Sequence, residues 1–154
     1  MMLDIHDLKL LQLLQQNAKR TTKEYAHRLG LSTTAVYERI KKLERQGMVL
    51  HYVALLDKKK VALDFVVFCH VRLTRHTQAN IGYFEREVMK LPEVMECHHL
   101  SGDYDYLLKI VVRDMEAYRH FMVAKLTAIE HIGSTQSSFT IKEVKHTTAL
   151  PLLP

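Results

Sequence analysis

At 154 residues the chain can form one ordinary domain or two small ones, and 47% apolar against 25% charged residues is the balance of a globular protein with a buried core. No apolar run approaches the ~20 residues needed to span a bilayer. The acidic start MMLDIHDLKLL lacks the basic-then-apolar layout of an export signal, so a membrane span or a leader is not expected. The net charge of +5 is unevenly placed. Residues 1–50 hold nine Lys/Arg against five Asp/Glu, residues 51–64 three against two, and residues 65–154 ten against ten. The whole excess lies at the front, which suggests a polyanion at one end and something else at the other. Cys69 and Cys97 both sit in apolar, strand-like runs, where cysteine acts as a small buried hydrophobe in a reducing, cytoplasmic setting.

In chain order, Asp4 caps a first helix, along which Ile5, Leu8, Leu11 and Leu14 repeat at helical spacing until about Asn17. Thr21 with Glu24 three residues on is a capping box that starts a second helix, and Leu29-Gly30 stops it. Ser32 is the N-cap of a third helix that runs to Gln46 and ends at Gly47. Two short helices joined by a tight glycine turn form a helix-turn-helix, and the first helix supplies the third wall. On the third helix Val36, Ile40 and Leu43 form the buried stripe, while Thr33, Thr34, Tyr37, Glu38, Lys41 and Lys42 lie mainly away from it. The N-terminal half of such a helix is the part that enters the major groove of double-stranded DNA. Thr33, Thr34, Tyr37 and Glu38 are the candidates for base-edge contacts. Ser32, Arg39, Lys41 and Lys42, with Arg28 on the preceding helix, are the candidates for phosphate contacts. A solvated amphipathic helix is the plain alternative.

Met48 to Leu56 is a β-rich run, read as a short wing strand or a hinge, and Asp57-Lys58-Lys59-Lys60 follows as a solvated turn. The remainder alternates. Phe65 to Thr74 is a strand with Cys69, Val71 and Leu73 on one face and His70, Arg72 and Thr74 on the other. Gln78 to Lys90 is a helix with Ile81, Phe84, Val88 and Leu91 inward, stopped by Pro92. Val94 to Leu100 is a strand, Ser101 to Asp105 a turn, and Tyr106 to Val112 a strand apolar enough to be covered on both faces. Asp114 caps a helix with Tyr118, Phe121, Met122, Lys125 and Ile129 along one side. Gly133-Ser134 ends the connection, and Thr135 to Lys145 is a last strand in which Val144 breaks the alternation of Phe139 and Ile141.

The order βαββαβ is ferredoxin-like. The expected fold is therefore α+β: a three-helix winged helix-turn-helix over residues 1–50, a strand or hinge linker at 51–64, and a βαββαβ domain over 65–154. Its helices cover one sheet face only. The other is expected to meet a second copy of the chain, with the apolar tail Ala149–Leu153 as an alternative cover.

Three stretches carry a family resemblance: LDIHDLKLLQLLQQNAKRT, LGLSTTAVYERIKKLERQGMV and, above all, Glu96-Cys97-His98-His99-Leu100-Ser101-Gly102-Asp103-Tyr104-Asp105-Tyr106-Leu107-Leu108-Lys109. Over essentially its whole length the chain resembles the Lrp/AsnC (feast/famine) transcription factors. The resemblance implies a cytoplasmic, nucleoid-associated regulator that reads DNA sequence and is modulated by an amino-acid effector such as leucine, methionine or another branched-chain type. It implies a C-terminal sensing and oligomerisation (RAM-type) domain, homodimers that pair through their sheets, and further assembly to an octamer. The effector is implied near the turn Ser101, Gly102, Asp103, Tyr104 and Asp105 and the start of the last strand. Asp103 or Asp105 suits its ammonium; N–H groups around Gly102, with the Thr135 and Ser137 hydroxyls, suit its carboxylate. Many relatives carry proline in the turn into the recognition helix, where this chain has Thr33 and Thr34.

Other readings fare worse on the residues. Cys97 and His99 share a strand face and His70 was a conceivable neighbour, yet no second paired cluster completes a metal site, so neither metal nor cofactor is expected. There is no phosphate-cradling glycine loop or nucleophile elbow, hence no catalytic assignment and no enzyme. An architectural DNA organiser without an effector remains the alternative function.

Overall fold

The computed structural model describes residues 3–152. It divides into two compact units, one comprising the chain up to Leu55 together with the stretch from Val144, the other Leu56–Glu143. Residues 144–152 thus belong with the first unit, not with the βαββαβ domain to which the sequence reading gave everything after 65.

In the first unit α1 (Ile5–Gln16), α2 (Thr22–Leu29) and α3 (Thr33–Arg45) enclose a small core. The expected caps hold each start. Asp4 and Asp7 form a capping box at α1, Thr21 and Glu24 another at α2, and Ser32 Oγ accepts from Ala35 N at α3. Gly30 ends α2 in the left-handed region at φ 66°, as its place in the turn requires. The buried line of α1 is Asp7, Leu10, Leu11 and Leu14. Ile5 is exposed and Leu8 half-buried, so the stripe is rotated from the expected one. The reason lies 35 residues away: α3 brings cations to Asp7 that make its burial tolerable. Val36 and Leu43 of α3 are fully buried, and Leu152 packs on the same core. Gln15 clasps the tail backbone, accepting from Leu150 N at 2.6 Å and donating to Leu150 O at 3.1 Å. The tail leucine at 153 lies outside the described residues.

Met48–Leu56 forms no strand, so the described residues contain no wing; Leu50, Val53, Leu55 and Leu56 stand exposed. The expected turn at Asp57–Lys60 is present and runs on, hydrogen-bonded, to Leu63.

In the second unit β1 (Phe65–Leu73), β2 (Val94–His99), β3 (Tyr106–Val112) and β4 (Ile132–Phe139) form an antiparallel sheet in the order β2-β3-β1-β4. With α4 (Gln78–Val88) and α5 (Met115–Phe121) between the strands, this is the ferredoxin-like arrangement. Val67, Cys69, Val71 and Leu73 of β1 alternate into the core against Phe84, Val88 and Phe121. A π-helical turn, Met122–Leu126, continues α5 and sets Leu126 into the core where a 3.6-residue period expects Lys125, while Ile129 is buried as expected. β3 alternates buried and half-buried residues, so its second face is only partly covered within this chain.

The last strand differs most from expectation. It spans Ile132–Phe139: Ser134 pairs with Arg72 and Ile132 with Leu73, and Gly133 is the extra residue at the bulge between them, where β1 lies so close that an added Cβ would stand 3.4 Å from Arg72 O. From Thr140 onward the chain is irregular and Ile141 is fully exposed, so Val144 has no strand parity to break.

Candidate nucleic-acid interface and effector site

Helix α3 sits on the first unit by its Val36–Leu43 stripe, which leaves Thr33, Thr34, Tyr37 and Glu38 exposed along one outer face. Arg28 and Ser32 are exposed at the turn before it. Tyr25 ties α2 to the end of α1: it is buried on α2 and donates its hydroxyl to Asn17 O at 2.7 Å.

The cations of α3 are not equivalent. Lys41 Nζ lies 2.8 Å from Glu44 and over the Tyr37 ring, and the Glu44 hydrogen bond raises its pKa. Arg39 Nη1 donates to Asp4 Oδ2 at 2.7 Å and Asp7 Oδ1 at 2.5 Å, and Lys42 Nζ to Asp7 Oδ2 at 3.0 Å. Burial alone would push the Asp7 carboxyl up, but the bonds from Lys42, Arg39 and the Asp4 backbone outweigh it and hold the pKa below the usual carboxylate value. Arg39 and Lys42 are therefore engaged inside the unit, whereas sequence reasoning grouped them with Lys41 as outward cations. Asp7 was missed; its place three residues after Asp4 is a capping-box spacing, the one local signal it carries.

In the second unit the turn between β2 and β3 is pinned from several sides. Asp105 N donates to Val71 O and its carbonyl accepts from Leu100 N. Its carboxylate accepts from Leu73 N at 2.7 Å through Oδ2 and meets His76 Nε2 at 2.8 Å through Oδ1. Arg72 donates to the Asp103 carbonyl through Nε, at 2.7 Å, and through Nη2. Gly102, at φ 138°, takes a conformation that an L side chain rarely adopts. The Asp103 carboxylate is exposed and has no hydrogen-bond partner among the described residues. Both Asp105 oxygens are already in use, so of the two aspartates only Asp103 offers an open carboxylate.

The expected effector residues do not all converge. Thr135 and Ser137 pair with Val71 and Cys69, whose side chains enter the core, so they lie on the helix-covered face. There Ser137 Oγ sits 2.5 Å from the Tyr118 hydroxyl, whose pKa burial pushes up to about 12. Tyr104 instead joins the opposite face. Its hydroxyl donates to Gln136 Oε1 at 2.5 Å, its ring lies 5.1 Å from that of His70, and the Arg72 guanidinium sits 5.3 Å from its centroid. Gln136 was missed, although the alternation that placed Thr135 and Ser137 together puts it on the other face. His70 is likewise across the sheet from Cys97 and His99, which removes it from any shared metal geometry; Cys97 is exposed, contrary to expectation, while Cys69 is buried.

A helix-turn-helix unit and a ferredoxin-like unit with a pinned, acidic β2–β3 turn define a DNA-binding regulator with a ligand-binding domain. Residues 3–44 match the AsnC-type helix-turn-helix domain and residues 66–150 the Lrp/AsnC ligand binding domain. The chain belongs to the Lrp/AsnC family of transcriptional regulators, which bind DNA and respond to amino-acid effectors. It is 37% identical to the leucine-responsive regulatory protein of Escherichia coli over 96% of this chain and 90% of that protein. It is 38% identical to the glutamate uptake regulatory protein of Zymomonas mobilis over 97% and 91%. Among solved structures, a transcriptional regulator in complex with L-Met from Neisseria meningitidis superposes with a TM-score of 0.93 at 40% identity, covering 98% of this chain and 97% of that one. Among the described residues no helix is long and apolar enough to cross a membrane.

Proposed function

We propose that this protein is a homodimeric, nucleoid-associated regulator whose α3 reads the major groove and whose β2–β3 turn senses a free amino acid. Thr33, Thr34, Tyr37 and Glu38 contact base edges; Arg28, Ser32 and Lys41 contact phosphates. Arg39 and Lys42 leave the phosphate set because the fully buried Asp7 holds them, whereas Lys41 pairs only with the partly exposed Glu44. Binding should therefore be salt-dependent.

The observation that carries the sensor reading is the open Asp103 carboxylate on a turn held at the Asp103 carbonyl by Arg72 and at Asp105 by Leu73 and His76. An amino-acid ammonium needs such an acceptor, and a rigid turn supplies it without an ordering cost. Ser101, Gly102, Asp103 and Tyr104 line the site directly, and Asp105 holds its shape. Thr135 and Ser137, on the covered face, drop out of the direct set. Methionine leads the effector candidates, since the Neisseria relative was solved with L-Met. The half-buried open face, with Phe68, Leu107 and Val111, supports pairing with a second copy, and the octamer is the further assembly this reading expects of such dimers.

A thermal-shift screen of the purified chain against the twenty amino acids tests this. A ligand at about 100 times its Kd should add about 2.7 kcal/mol, a rise of several degrees at this size. We expect a selective rise for methionine or a branched-chain residue, lost in Asp103→Asn. A flat screen alongside intact DNA binding would favour an architectural DNA organiser.

A further inference from the structure

Helix α3 carries four cations, Arg39, Lys41, Lys42 and Arg45. Three of them meet an anion of the same unit: Arg39 meets Asp4 and Asp7, Lys42 meets Asp7, and Lys41 meets Glu44. Arg45 has no ion pair among the described residues. The helix best placed to meet a polyanion is thus largely neutralised from within.

Asp7 stands apart from the other two acids. It is 0% exposed, where Asp4 and Glu44 are not, and each of its oxygens takes a different cation of α3. Arg39 and Lys42 are 26% and 38% exposed along their side chains, and they line a surface depression of about 420 Å³ with Asp4, Glu38 and Arg45. Both cations are thus at the surface while their charge is spent on a buried group. A phosphate can recruit them only by leaving a fully buried carboxylate without its partners, which is far costlier than exchanging an exposed ion pair.

We propose that Asp7, with Asp4 beside it, is a specificity-determining residue that withholds Arg39 and Lys42 from DNA phosphates. Every cation that reaches a phosphate adds affinity for all sequences alike, whereas base-edge contacts alone discriminate. Holding back two of four cations lowers the sequence-independent share and leaves the Thr33, Thr34, Tyr37 and Glu38 face with more of the decision. The inference rests on the reading of α3 as the DNA-contacting helix.

The test compares the full-length protein with Asp7→Asn, Asp4→Asn and Glu24→Gln. The probes are a duplex selected from a random pool by the wild type and a shuffled duplex of the same length, each titrated across salt. If the wild type shows no salt-dependent binding, the DNA reading itself fails before any variant is considered. In Asp7→Asn the log–log salt slope should steepen by about 0.9 for each cation that reaches a phosphate. Affinity for the shuffled duplex should rise several-fold, and the selected-to-shuffled ratio should fall correspondingly. Asp4→Asn keeps a good N-cap residue and should move the same way by a smaller amount. Glu24→Gln removes an equal charge from α2 and should leave the slope unchanged, which separates release of held cations from a general change of field. Circular dichroism establishes which variants are folded; if Asp7→Asn is not, Asp4→Asn decides. An unchanged or shallower slope in the folded variants would overturn the proposal, as would equal steepening in Glu24→Gln.

Discussion

Asp7 and Asp105 each use both carboxylate oxygens to join elements that are distant in the chain. The Asp7 pKa is lowered in the folded protein, so the group stabilises the fold at pH values above its unfolded pKa of ~3.9 and loses that contribution as pH falls through the lower folded value. The melting temperature should hold steady from pH 7 to about 5 and drop below about 4. Asp7→Asn should be less stable at neutral pH and lose less on acidification; equal acid sensitivity in both proteins would contradict the assignment. At Asp105, substitution by Ala strands the Leu73 N–H and should cost about 1–3 kcal/mol, read as a lower melting temperature. Asp103→Asn should leave it almost unmoved. These two aspartates read alike in the sequence, because the hydrogen bonds that separate them come from β1, some 30 residues earlier. Asp7 was illegible for the same reason: its partners on α3 are local to nothing near it.

At the scale of elements, what the chain encodes locally was readable and what a partner strand imposes was not. The caps Asp4, Thr21 and Ser32 and the stop at Gly30 depend on neighbours within a turn, and each stands where its residue type placed it. β4 begins at Ile132 because pairing with β1 overrides the breaker signal of Gly133-Ser134, and its register ends with Phe139 opposite Val67, followed by one more bond from Thr140 N to Val66 O. The β-rich Met48–Leu56 run shows the converse, since strand propensity without a partner gives no strand. The split of the effector residues between two faces follows from parity along β4, which the sequence did carry. Gly30 offers a clean test of the turn. A Cβ there meets nothing within 4 Å, so Gly30→Ala should destabilise only through its left-handed backbone, by about 1–2 kcal/mol in denaturant unfolding. A neutral result would mean that the turn relaxes without loss.

Across the described residues, the chain passes between its two units twice, near Leu55 and again near Glu143, and Leu150 returns to α1 of the first. The Gln15–Leu150 clasp and Leu152 fix that end. Gln15→Ala should increase proteolysis and hydrogen exchange over residues 144–152 while the core of α1–α3 stays protected; unchanged protection of the tail would show that Leu152 alone suffices. The charge asymmetry belongs to this scale as well. The excess of Lys and Arg in residues 1–50 marks the DNA-facing unit, though acids of that unit already hold several of its cations.

On the proposed function, an amino acid bound at the β2–β3 turn changes how the helix-turn-helix unit engages DNA. The most direct measurement is the affinity of the full-length protein for a selected duplex, at fixed salt, with and without saturating methionine or whichever amino acid the thermal screen selects. The affinity should change by about 5-fold or more, the lower end of ordinary allosteric coupling, and the change should disappear in Asp103→Asn while DNA binding itself persists. Equal affinity with and without a ligand that demonstrably binds would contradict it.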